Sequence, residues 1–383
     1  MRRFLLGNVP LREFLRDHWQ RKPLLVRGAL PGFQGLIDRT GLIAAACRES
    51  VSSRLVLRRG ARWDVRCGPF RQCELQALPR RNWTLLVQEV NHFLPAADAL
   101  MRRFAFVPLA RLDDVMVSLA PPGGGVGPHV DTYDVFLLQG SGRRRWRVSA
   151  QRDQALIPDA PLKILKRFVP EQEWVLDPGD MLYLPPSYAH DGVAVDECTT
   201  YSIGSRAPTA QELGEAFLDH LRDTMELPGR YADPDLELQK DPAAIGARMT
   251  AQIASMLAGI RWTRRDVARF LGGHLTEPKP HVFFTAPRLA LSRSRFVAHA
   301  ARHGVALALR SRMLFDRSRV YLNGETCAPV GAAAVVLRKL ANTGSLPAGT
   351  DMGAEVADLL YVWYRAGYLE LRPAASDGKD RTS

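Results

Sequence analysis

Between about residue 50 and residue 205 the chain is written as short β-type runs, RLVLRR, WTLLVQEV, DDVMVSLA, YDVFLLQG, RRRWRVSA, EWVLDPGD, DMLYLP and TTYSIG, each cut off by Gly, Pro or Asp. That spacing predicts an antiparallel barrel or sandwich. Ahead of it the first fifty residues read as helical, with LREFLRDHWQ leading into the extended stretch PLLVRGAL. After Pro208 the period becomes helical. Thr209 and Glu212 form a capping-box pair that opens a helix through TAQELGEAFLDHLRDTM, Asp241-Pro242 is expected to cap a second helix, and Thr263 with Asp266 a third that ends at the glycines of TRRDVARFLGG. A small bundle that packs against another copy of itself is the reading for these three. From about residue 281 a helix near SRFVAHAARHG, a hairpin from VALALRSRMLF to SRVYLNG turning at Asn323-Gly324, and two more helices resemble a winged helix.

At 383 residues the chain has room for several domains. The division expected is 1–208 for the catalytic barrel, 209–280 for the helical region, 281–373 for the winged-helix-like unit and 374–383 for a disordered tail, PAASDGKDRTS having no apolar side chain beyond alanine. The fold class is α+β. Apolar residues at 46% and charged residues at 24% fit a globular protein, and no segment is apolar for long enough to span a bilayer. The apolar run after the first arginines is broken by Pro10, too early for a signal peptide. Five scattered cysteines without a Cys-x-x-Cys pair read as reduced thiols, so the expected location is the cytoplasm. A net charge of +12 keeps a contact with ribosomal RNA open, although arginine richness spread over the surface would give the same number.

The chemistry gathers around Gly-Pro-His129-Val-Asp131, just after the glycine-rich PPGGGVG and just before an apolar strand. Residues two apart in an extended segment face one side, so one imidazole and one carboxylate converge. By itself the pair is common in loops and caps. Downstream the turn Asp177-Pro-Gly-Asp180 delivers MLYLP, and a Pro-Pro loop ends at His190. Two histidines and a carboxylate make the facial triad of iron(II) enzymes, which leaves three metal positions open, two for 2-oxoglutarate and one for O2. His92, His220, His274, His281, His299 and His303 lack such partners and read as surface or core residues.

After the turn Gly140-Ser141-Gly142 the strand Arg143-Arg144-Arg145-Trp146-Arg147-Val148 sorts by alternation into an inner face, Arg144, Trp146 and Val148, and an outer one. An arginine inside a barrel needs an anion. The distal carboxylate of 2-oxoglutarate would be one, and an internal Arg–Asp pair is the alternative.

The segments HVDTYDVFLLQGSGRRRWRV, GDMLYLPPSYAH and HWQRKPLLVRGAL resemble the bacterial JmjC-type ribosomal oxygenases, and the likeness covers nearly the whole chain. The resemblance implies a double-stranded β-helix (cupin/JmjC) barrel, then a helical dimerisation region and a winged-helix domain. It also implies iron(II) held by His129, Asp131 and His190, 2-oxoglutarate held by Arg144 with Ser118 as a polar contact, and hydroxylation of an arginine of a large-subunit ribosomal protein by a homodimer. Ser202 and Arg206 lie in a segment that resembles the family's barrel ending and receive no role. Tyr133 and Asp134 are near enough to neighbour a cationic side chain, but their strand direction is open. The same chemistry on a histidine or a methyl-lysine, a nucleic-acid-binding module with a relic barrel, and a small-molecule cupin enzyme are the other readings. Arg310, Arg312, Arg317 and Arg319 of the hairpin keep nucleic acid in view.

Overall fold

A computed structural model describes residues 5–60 and 62–372, so the expected disordered tail lies outside the described residues. Twelve strands build the first part: β1 (Leu24–Val26), β2 (Ser53–Arg59), β3 (Arg62–Cys67), β4 (Trp83–Val87), β5 (Leu112–Ala120), β6 (His129–Val130), β7 (Val135–Gln139), β8 (Arg144–Ser149), β9 (Gln172–Leu176), β10 (Met181–Leu184), β11 (Ala189–Ala194) and β12 (Cys198–Ser205). They form an eight-stranded sheet in the order β1-β10-β7-β12-β5-β4-β2-β3 and a four-stranded sheet in the order β6-β11-β8-β9. The pairs are antiparallel throughout, as their short spacing predicts.

YDVFLLQG shows no apolar alternation because β7 is buried on both faces. Val135 and Leu137 pack inside the barrel against Trp146, Val148 and Leu182, whereas Phe136 and Leu138 join the larger core outside it. That outer core is covered by the N-terminal segment. There helix α1 (Leu11–Glu13) continues as a π-turn that sets Phe14 edge-on to Tyr183 at 4.9 Å, and Trp19 stacks on Tyr183 at 5.9 Å. Helices α2 (Arg39–Ala46), α3 (Gln72–Gln76) and α4 (Pro95–Arg102) bring further apolar faces to the barrel part, those of α2 and α4 through Leu42 and Leu100.

Helix α5 (Ala210–Thr224) starts with the expected capping box, Thr209 Oγ1 accepting the Glu212 N–H at 3.1 Å and Glu212 accepting the Thr209 N–H at 2.7 Å. The second helix departs from expectation. Asp241 does not cap it; α6 (Ala247–Leu257) begins after an extended Gly246, and Asp241 closes only a single turn to Ala244. Ile245 stays 81% exposed there, so no packing holds a longer helix together.

Helix α7 (Arg264–Thr276) has its Thr263–Asp266 capping box, yet it runs straight through the two glycines expected to end it. Gly272 is needed for contact instead: a Cβ there would lie 2.3 Å from the Tyr321 ring, so the helix approaches that tyrosine over bare backbone.

The remaining unit contains α8 (Arg293–His303), β13 (Val305–Leu307), β14 (Met313–Phe315), β15 (Val320–Leu322), β16 (Glu325–Cys327), α9 (Gly331–Thr343), β17 (Ser345–Leu346), α10 (Gly353–Arg365) and β18 (Leu369–Leu371). VALALRSRMLF is not one strand: β13 pairs with β17 and β18, while β14, β15 and β16 make a separate sheet. The Asn323-Gly324 turn, with both φ angles positive, joins β15 to β16 rather than closing the first hairpin. Phe296, Leu337, Leu340, Leu360 and Trp363 fill this unit's own core.

Candidate metal centre

The three candidate ligands come from two neighbouring strands. His129 opens β6 and sits directly opposite His190 on β11, while Asp131 follows β6. His190, expected at the end of a loop, is instead the second residue of a strand that the Gly and Asp of HDGVAV conceal in the sequence. The imidazoles lie 4.2 Å apart, and Asp131 reaches both, its Oδ1 3.8 Å from His129 Nε2 and its Oδ2 3.6 Å from His190 Nε2. One ligand atom from each lies within 4.8 Å of the others.

The ring orientations are fixed from behind. A carbonyl can only accept, so His129 Nδ1 donates to Gly127 O (2.9 Å) and His190 Nδ1 to Tyr188 O (3.0 Å). Both Nε2 lone pairs then face Asp131, the arrangement metal-binding histidines use. Burial, with His129 beside it, pushes His190 down to about 4, so at neutral pH it is an uncharged donor. The glycine-rich loop closes over β11: a Cβ on Gly125 would lie 2.6 Å from the Gly192 carbonyl.

This centre lies in a cavity of about 640 Å³. Arg144 opens into it from β8 and is 4% exposed, with Trp146 and Val148 on the same inner face as alternation predicts and Arg145 outside. Among the described residues no Arg–Asp pair satisfies it. Its Nε and Nη2 are buried without a hydrogen-bond partner, and the guanidinium lies over Trp146, 5.8 Å from the ring centroid. Arg147, on the other face, pairs with Asp191. Ser118 lines the same cavity and makes a single long bond, 3.5 Å to Thr200 O.

At the mouth the structure corrects one neighbour and adds several. Asp134 points away: fully buried, it accepts from Tyr183 Oη (2.6 Å) and Gln20 Nε2 (3.0 Å). Tyr133 faces the cavity, and burial, with Asp131 nearby, holds its phenol well above the ordinary value. Among the acids that line the cavity, which include Glu89, Asp113 and Asp131, Asp114 stands on the strand face shared with Met116 and Ser118. Burial, with Asp113 adjacent, lifts Asp114 to about 6. Asp114 Oδ2 accepts the Glu89 N–H at 3.0 Å. A Cβ on Gly204 would meet Asp114 Oδ1 at 3.7 Å and Tyr133 Cε2 at 3.9 Å, so both flank one stretch of bare backbone.

The segment after α7 completes the rim. Lys279 Nζ lies 2.8 Å from Glu89 and 3.3 Å from Asp113, and His281 Nε2 lies 2.7 Å from Glu89. Arg206 joins Asp113 at 3.0 Å, and Ser202 lines the cavity.

Residues 99–213 match the JmjC domain family and residues 259–370 the ROXA-like winged helix, the latter taking in α7. The ribosomal protein uL16 3-hydroxylase of Escherichia coli (strain K12) is 35% identical over 317 residues, 82% of this chain and 84% of that protein. The X-ray structure of E. coli YcfD superposes with a TM-score of 0.82 at 30% identity, over 95% of this chain and 98% of that one. The structure of YcfD, a ribosomal oxygenase, in complex with cobalt and 2-oxoglutarate gives 0.81 at 30% identity, over 95% and 98%. With this identity over most of both chains, and with a JmjC domain followed by a ROXA-like winged helix, the protein belongs to the JmjC-type ribosomal oxygenase family.

Proposed function

We propose that the protein is an iron(II)- and 2-oxoglutarate-dependent oxygenase that hydroxylates an arginine side chain of a large-subunit ribosomal protein. One observation carries the reading: a His129–Asp131–His190 donor set and a buried guanidinium without a partner share one cavity. Two imidazole nitrogens and a carboxylate suit iron(II) and leave one side of it free. Arg144 suits the far carboxylate of 2-oxoglutarate, which would accept from the two N–H groups that nothing else satisfies. When bound, iron and 2-oxoglutarate would supply the chemistry that activates O2, one oxygen atom entering succinate as carbon dioxide leaves and the other going to a substrate C–H bond.

The chain's own residues perform the holding. His129, Asp131 and His190 fix the metal, with the Gly127 and Tyr188 carbonyls keeping both rings turned toward it. Arg144 orients the co-substrate, and Ser118 adds a hydroxyl beside it. Asp114 and Tyr133 supply an anion and an aromatic face where a cationic side chain would enter, and a guanidinium there would recover part of the cost of burying Asp114. This favours arginine over a neutral histidine as the target. The relative's printed activity, on ribosomal protein uL16, points to the same substrate class.

In this reading residues 1–208 are the catalytic unit, 209–280 mediate homodimerisation and 281–373 form the winged helix, working in the cytoplasm. No described helix is long and apolar enough to cross a membrane. The test is iron-dependent conversion of 2-oxoglutarate to succinate, with mass spectrometry of an added arginine-containing ribosomal-protein fragment. One oxygen gained on arginine, and lost in Asp131→Ala, is the expected result. Succinate formation with an unmodified fragment overturns the substrate, and no turnover in iron-loaded protein overturns the oxygenase.

A further inference from the structure

Where α7 meets the winged-helix unit there is a cluster of arginines that neither that unit's core nor the oxygenase cavity uses. Arg265 and Arg269, one helical turn apart on α7, face Arg317 and Arg319 on the loop between β14 and β15, and the four surround a concavity of about 180 Å³. No residue lining it also lines the oxygenase cavity.

The loop is held in place by groups other than these side chains. Asp316 Oδ1 accepts the N–H of Ser318 and of Arg319, both at 2.7 Å, and its Oδ2 accepts Tyr321 Oη at 2.6 Å. Arg338 Nη2 donates to the Arg317 carbonyl at 2.8 Å while its guanidinium lies over Phe315. The one acid in the concavity is therefore spent on the loop's own backbone and on a tyrosine. None of the four arginines takes part in an ion pair among the described residues, and Asp316 is the one acidic residue that lines the hollow with them.

Four guanidinium groups gathered around one hollow, with Asp316 already engaged by the loop, make a patch of net positive charge. A ligand that presents several negative charges in series complements it. Guanidinium forks match phosphate oxygens two at a time, and a nucleic-acid backbone offers them at regular intervals. The net charge of +12 adds a long-range attraction of the same sign.

We propose that this arginine bowl between α7 and the β14–β15 loop binds the phosphate backbone of RNA. The surface lets the enzyme hold RNA near its protein substrate without reading base sequence.

Fluorescence anisotropy of the full-length protein with a labelled, mixed-sequence single-stranded RNA tests this across a salt series. Affinity should fall with salt at a log–log slope of about −0.7 per phosphate engaged, so roughly −3 for four contacts. Arg317→Ala with Arg319→Ala should flatten the slope by roughly 1.4 and weaken binding about tenfold or more at low salt. Both changes keep the Arg317 carbonyl and the Arg319 N–H that fix the loop, and 2-oxoglutarate turnover should be unchanged. Arg265→Ala with Arg269→Ala, on the other wall, should give the same loss. Wild-type slope and affinity in both double variants would overturn the proposal. Equal displacement of the RNA by polyglutamate would also overturn it, because the bowl would then be a site for acidic protein.

Discussion

Arg144 shows how a single residue can cost stability and supply function. Its Nε and Nη2 are buried with no partner, and an unsatisfied buried donor costs about 1–3 kcal/mol. Arg144→Met keeps the apolar stem against Trp146 and removes the stranded cation. Without 2-oxoglutarate the variant should therefore melt no lower than the wild type, while its affinity for 2-oxoglutarate should drop about a hundredfold, the order expected for losing about 3 kcal/mol of buried charge pairing. Calorimetric titration and thermal melts on the same samples separate the two effects. Undiminished affinity would mean that the co-substrate carboxylate binds elsewhere. This site was legible because its signals are local: His129 and Asp131 are two apart in an extended run, and Arg144 falls on the inner phase of its strand. The same alternation, counted back from Ser118 along β5, reaches Met116 and Asp114, so Asp114 could have been found facing the cavity where Asp134 was considered. Asp134 is drawn instead into the core by Tyr183 and Gln20.

Among the elements, α6 is the one whose sequence promises a core that the single chain does not provide. Met249, Ile253, Met256 and Leu257 follow the i, i+4, i+7, i+8 rhythm of a buried face, yet each is at least 37% exposed and the helix has no buried residue. Leu218 on α5 and Trp262 just before α7 are also exposed. A second copy of the chain is the partner proposed for this face, since fully burying each such side chain is worth about 1.5–3 kcal/mol. Sedimentation of the wild type should then give twice the chain mass, and Ile253→Asp should give a monomer that still converts 2-oxoglutarate. A monomeric wild type would remove the dimer. Capping boxes were readable in α5 and α7 because they are made by residues three apart. The end of α7 was not, because a glycine that stops a helix and one that admits a tyrosine from a distant hairpin look alike in sequence.

At the scale of the whole molecule, the barrel and the winged-helix unit meet through charges that no sequence pattern announces. Glu89 and Lys279 are 190 positions apart, and Glu89 stands in a left-handed turn after β4 that presents its carboxylate to Lys279, His281 and His92. Arg312 reaches back from the hairpin to the carbonyls of Leu109, at 2.7 Å, and of Leu112. Burial alone would raise Glu89, but hydrogen bonds from His92, Lys279 and His281 outweigh it and hold the carboxyl far below the usual glutamate range. A carboxyl depressed in the folded state contributes stability that is complete above its unfolded value, about 4.3, and is lost as pH falls from there toward the folded value. Lys279→Met should remove part of that contribution, about 1–2 kcal/mol at pH 7 once the partial exposure of the lysine is allowed for. The gap between the melting temperatures of wild type and variant should then shrink as the pH is taken below about 4, because protonation of Glu89 and of Asp113, also depressed beside Lys279 and Arg206, removes the partners in both proteins. A gap that stays constant across that range would mean that Lys279 joins the two units by packing of its stem, and that the ion pairs at the mouth of the cavity add nothing to their docking.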